Sequence, residues 1–155
     1  MRESGKEPRL FQAVDRAVVG QLKFAQGGLV AAEPLLHQAD GELAQLRDQH
    51  EGGMIVLDTL IQVEACLGRR DEVERIGEQL RAARRFDKWT YPISDLRIAT
   101  AYALMGDADH AVPLLDNALH QTYANAITPA YLRFDRRYDP IRNDPRFQKL
   151  ANSSL

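Results

Sequence analysis

Three glycines set the frame of this chain. Gly27, Gly68 and Gly106 are each followed by a small or apolar residue five and twelve positions later: Ala32 and Ala39, Val73 and Leu80, Ala111 and Ala118. The hinges stand 41 and 38 residues apart. Self-similarity at such a period marks a stack of two-helix units. Glycine lets the chain turn sharply between antiparallel helices. The fifth position then lies where the first helix must approach the second, and the twelfth lies two turns on along the same face. One pair cannot bury its apolar face alone, so neighbours stack.

Between the hinges, apolar residues recur at intervals of three and four, the helical period. Phe11, Val14, Val18, Leu22 and Ala25 form a first stripe, predicted to face the core. Leu29, Ala32, Leu36, Ala39, Leu43 and Leu46 form a second. A third helix covers 54–67, with Ile55, Leu57, Leu60, Ile61, Glu64 and Leu67 on its stripe. Asp71 reads as the N-cap of a helix over 72–84, and Ser94 or Asp95 as the cap of the next, through Met105. A sixth helix spans 108–121. The helix pairs therefore cover about 10–48, 53–85 and 94–121, after a disordered lead at 1–8. The 20 Ala and 19 Leu against 8 Val and 7 Ile favour helix over strand.

The tail has its own grammar. Thr128-Pro129, Asp139-Pro140 and Asp144-Pro145 each set a capping side chain before proline at the first helical position. The expectation is a helix at 129–135, a tight turn at 140–142 and a closing helix at 145–151.

Residues 101–119, AYALMGDADHAVPLLDNAL, resemble a tetratricopeptide repeat, with Ala99, Tyr102, Gly106, Asp107, Ala111 and Ala118 at the family's spacing. The first pair is similar at Gly20, Gly27, Ala32 and Ala39. In the middle pair Ile61, Val73 and Leu80 replace the small residues. The tail YLRFDRRYDPIRNDPRFQKLA, 131–151, resembles the segment that closes such arrays in bacterial multidomain regulators of serine/threonine kinase, adenylate cyclase or winged-helix type. The resemblance implies an all-α superhelix of three antiparallel helix pairs plus a closing helical segment at 128–151, one repeat domain over 9–151. It further implies a non-catalytic interaction module that binds a protein or peptide on its concave face.

In such arrays the first helix of each pair lines that face. Hinge alignment puts Gln21 and Phe24 there from the first pair, Asp58 and Gln62 from the second, and Leu96 and Thr100 from the third. A second copy of the chain is the alternative partner, because the apolar faces of terminal repeats can pair. A small-ligand sensor is a further alternative.

The residue chemistry fits no catalytic or cofactor pattern. The 20 basic and 22 acidic residues give a net charge of −2, which argues against a nucleic-acid partner. No apolar run is long enough for a membrane span, and the first eight residues carry no apolar leader, so a cytoplasmic chain is expected. His37, His50, His110 and His120 lack the spacing of paired ligands on a helix, so no metal is expected. Cys66 reads as a buried structural thiol. Asp58, Glu64, Glu72, Glu74 and Glu78 read as a solvated face. Arg81, Arg84 and Arg85 suit the negative end of a helix dipole. Arg133, Arg136, Arg137, Arg142 and Arg146 read as intramolecular partners of Asp135, Asp139 and Asp144. Phe134, Tyr138, Ile141 and Phe147 are expected to pack the tail onto the last pair, and Phe86, Trp89 and Tyr91 to fill the junction between pairs two and three.

Overall fold

The computed structural model describes residues 6–123 and 125–154. Every regular element among them is helical, with no strand: α1 (Lys6–Asp48), α2 (Gly53–Cys66), α3 (Arg70–Arg84), α4 (Tyr91–Leu104), α5 (Ala108–Leu119), α6 (Pro129–Phe134), a 3-10 segment (Arg136–Ile141) and α7 (Pro145–Ala151). The helix starts at Lys6, so 6–8 are helical rather than a disordered lead. The expected lead at 1–5 lies outside the described residues. No helix among them is long and apolar enough to cross a membrane.

α1 is two limbs, because Gly28 leaves the helix at φ 74°, ψ −171°. Such a conformation is open to glycine and almost closed to other residues. The limbs fold back on each other: Arg9 donates to Gln45, and Arg16 pairs with Glu42. A Cβ on Gly20 would come within 2.9 Å of Leu36 Cδ2, so glycine sets the closeness of that approach.

The later hinges share one hydrogen-bonded geometry. Arg69 N–H donates to Glu64 O and Gly68 N–H to Ala65 O; Asp107 N–H donates to Tyr102 O and Gly106 N–H to Ala103 O. With φ of 73° and 75° at Gly68 and Gly106, both are Schellman closures, which satisfy the last carbonyls of a helix. The end of α1 closes in the same way through Glu51 N–H to Leu46 O, with His50 in the left-handed position at φ 55°. Hence a histidine, rather than a glycine, supplies that cap.

All six residues at the fifth and twelfth positions after the hinges are buried, as are Gly20, Ile61 and Ala99 seven positions before them. One apolar cluster joins α1, α2 and α3; a second joins α5 and the tail. α4 serves both, with Ile98, Ala101 and Leu104 toward the first and Leu96, Ala99 and Ala103 toward the second. Being covered on both sides, α4 has no solvent face over most of its length, which explains its weak amphipathic signal.

Several local expectations change. α3 begins at Arg70 with no side-chain cap, leaving Asp71 in its first turn. α4 begins at Tyr91, so Ser94 and Asp95 lie inside it. Ser94 is buried and donates to Leu80 O at 3.0 Å, while Asp95 accepts from Arg81 at 2.8 Å. In the tail, Thr128 and Asp144 cap α6 and α7, but Asp135 takes the expected role of Asp139 by accepting from Arg137 N. Phe86 is 86% exposed and Trp89 56%, so they do not fill the junction. The local reason is a turn tied by Asp87, whose carboxylate accepts from Trp89 N and from Thr90, while Arg85 stacks on Phe86.

Candidate functional site

The chain's own tail packs over the face to which hinge alignment assigned partner binding. The 3-10 segment packs against α4 and reaches α1. Asp135 caps it and holds the Arg137 guanidinium through both carboxylate oxygens, at 2.9 and 3.0 Å from Nε. Burial works against that carboxylate, but the Arg137 hydrogen bonds prevail and hold Asp135 below its usual range. Arg137 also binds the Tyr131 hydroxyl and donates to Gln62 Oε1 at 3.1 Å. Next to it, Tyr138 is fully buried, 5.7 Å from the Phe147 ring. Thr100 donates its hydroxyl hydrogen to Leu96 O at 2.8 Å, so the Tyr138 hydroxyl donates to Thr100 Oγ1 at 3.1 Å.

The six residues placed on this face by hinge alignment are thereby divided. Gln62 and Thr100 are brought together under Arg137 and Tyr138, and both are buried. Asp58 carries Arg84 at 2.8 Å and Arg97 at 3.7 Å. With Leu96, it lines a cavity of about 360 Å³ that reaches Ile127 and Tyr131. Phe24 is half-buried against the first core cluster. Only Gln21 stands on open groove.

That groove, of about 420 Å³, runs between the first limb of α1 and the tail. Val18, Gln21, Leu22 and Ala25 form one wall, and Phe134, Asp135, Arg136 and Arg137 the other. Phe134 is 81% exposed and Leu22 54%, which corrects two expectations. Phe134 does not pack on the last helix pair, unlike Tyr138, Ile141 and Phe147, which are buried. Most of the first stripe turns away from the core as well, only Val14 of its five members being packed against the first cluster. Ala13, Ala17 and Gly20 face the core, about 130° round the helix, at ~100° per residue. Small residues let the second limb approach; the larger ones are left outside. Their spacing of four and three was the available sequence signal, but the larger stripe outweighs it in any hydrophobicity count.

Elsewhere the charged groups have structural partners. Arg69 bridges Asp40 at 2.7 Å and Glu64 at 3.1 Å. Glu64 is buried rather than on a solvated face. Burial, and then the neighbouring Asp40, push its carboxyl up to about 7, against the pull of Arg69. Asp107 caps α5 and pairs with Arg70 and His110. Burial opposes its charge, yet these partners hold it down to about 2. Burial pushes the Cys66 thiol up to about 12, far from a reactive thiolate. Four of the five tail arginines pair with the aspartates as expected, Arg137 with Asp135, Arg136 and Arg142 with Asp139, and Arg146 with Asp144, whereas Arg133 donates to Ala151 O. No group of three or more His, Cys, Asp or Glu among the described residues is placed to hold a metal ion. No family model, curated protein or solved structure matches this chain.

Proposed function

We propose that this chain is a non-catalytic protein-interaction module of the tetratricopeptide type, whose binding surface is the groove between the first limb of α1 and the tail. The observation that carries this reading is an open groove with Val18 and Leu22 exposed on one wall and Phe134 exposed among charged residues on the other. Exposed apolar side chains gathered at one place mark interaction sites, whereas scattered ones do not. Arg136 on the rim, with a long 3.5 Å contact to Asp139, remains available to an acidic residue of a partner. The superhelical arrangement is supported by the two matching hinge closures and by the buried fifth and twelfth positions. A role beside kinase, cyclase or DNA-binding domains rests on the resemblance of the tail.

The reading differs from a general concave-face site in one respect. Gln62 and Thr100 are spent on holding the tail, so a peptide in the groove meets Val18, Leu22 and Phe134 instead. Selection from a displayed peptide library tests it. Peptides enriched on the parent are expected to lose binding to Leu22→Glu, an exposed change that leaves the helical signal and melting curve intact. Equal binding to both proteins would refute the assignment.

A further inference from the structure

The outward stripe of α1 has a symmetry that the core does not require. Its members, Phe11, Val14, Val18, Leu22 and Ala25, are separated by three, four, four and three residues. The spacing reads the same in both directions about Val18. Two such helices laid antiparallel on a two-fold axis at Val18 bring Val18 against Val18. They also set Phe11 opposite Ala25 and Val14 opposite Leu22, so the largest side chain faces the smallest and total volume stays nearly even along the seam. A two-fold interface must be self-complementary in this sense, residue i meeting j while j meets i.

The exposure fits an uncovered seam. Phe11 is 58% exposed, Val18 and Leu22 are about half exposed, and Val14 and Ala25 are half-buried, Val14 against the first core cluster. The flanks fit as well. In this register Asp15 lies opposite Gln21, a carboxylate against an amide donor, and no like charges meet. Packing is helped by the near-3.5 period, the geometry of a shallow helix crossing.

We infer that the partner of this surface is a second copy of the chain, docked through antiparallel α1 limbs with the two-fold axis at Val18. This rests on the interaction-module reading and names its partner. The seam spans about 21 Å at 1.5 Å per residue. By itself it covers less than the ~800 Å² per partner of a standard interface, so a micromolar, concentration-dependent dimer is expected.

The test is sedimentation equilibrium of the full chain from 1 to about 300 µM. The parent is expected to pass from monomer to dimer across that range. Val18→Glu and Val18→Lys, each set against itself at the axis, are expected to raise the dissociation constant at least tenfold. An equimolar mixture of the two is expected to restore a dimer, because only position 18 meets its own copy. Circular dichroism melts of both variants check that the fold survives. A parent that stays monomeric at 300 µM would overturn the inference, as would a dimer indifferent to either variant or a mixture that fails to pair. If the monomeric parent still binds selected peptides lost on Leu22→Glu, the interaction-module reading stands and only the self-pairing falls. If it binds none, both fall.

Discussion

Glu64→Gln is expected to remove a pH-dependent weakness from the first core cluster. The Glu64 carboxyl is buried beside Asp40, and the two acids share one guanidinium, Arg69. Burial and Asp40 raise it from 4.5 to about 7 in the folded chain. A raised carboxyl binds its proton more tightly folded than unfolded. Stability is therefore greatest below the unfolded value of 4.5, falls as pH rises through about 7, and levels off above it. At ~1.4 kcal/mol per pH unit the full shift corresponds to roughly 3 kcal/mol. Relaxation of a buried pair around Arg69 brings the expected penalty nearer 1–2 kcal/mol. Glutamine keeps an oxygen for Arg69 and carries no charge. Urea denaturation followed by circular dichroism at pH 5, 6, 7 and 8 should show a parent that weakens with pH relative to the variant. The variant should be about 1–2 kcal/mol more stable than the parent at pH 8. Taking the difference between the two proteins cancels the histidines, which titrate in both. A difference that stays constant from pH 5 to 8 would refute the assignment of a raised Glu64 carboxyl.

Four further substitutions, at three positions, probe the architecture. Ala111→Glu forces a carboxylate into a fully buried contact of α5; it should cost at least ~3 kcal/mol and lower the melting temperature by about 10 °C. Tyr138→Phe should cost only the hydrogen bond to Thr100, about 1 kcal/mol, whereas Tyr138→Ala should cost about 3–5 kcal/mol and open the face beneath the tail to limited proteolysis. His50→Gly relieves a left-handed conformation at the end of α1, and thermal denaturation should find it more stable by about 0.5–1 kcal/mol.

The helical class, the hinges at Gly68 and Gly106 and the buried positions around them were legible because each is a local pattern, while the first turn falls at Gly28, one residue beyond Gly27. Periodicity of three and four marks helices, and glycine marks the turns. The caps at Thr128 and Asp144 were legible for the same reason. What escaped depends on contacts between distant segments. The Arg137–Gln62 bond spans 75 residues and the Tyr138–Thr100 bond 38, and no sequence window contains either. Those bonds decide that Gln62 and Thr100 lie beneath the tail. The inward face of the first limb was misjudged because burial there follows closeness of approach, which Ala13, Ala17 and Gly20 permit, rather than hydrophobicity. Glu64 shares the stripe of its helix with apolar residues, but its carboxylate was grouped with Asp58, Glu72, Glu74 and Glu78 as solvated. Its burial follows from packing of α2 on the second limb of α1, where Asp40 and Arg69 await it.

The claim at the centre of this account is that partners meet the open groove beside α1 and leave the tail seated on Gln62 and Thr100. Isothermal titration of one selected peptide into the parent, Leu22→Glu and Thr100→Val tests it most directly. Leu22→Glu should weaken binding at least tenfold while Thr100→Val, beneath Tyr138, leaves the affinity unchanged. The reverse pattern, with Thr100→Val altering affinity and Leu22→Glu without effect, would contradict the account, because it would mean that the tail lifts and partners bind the face beneath it.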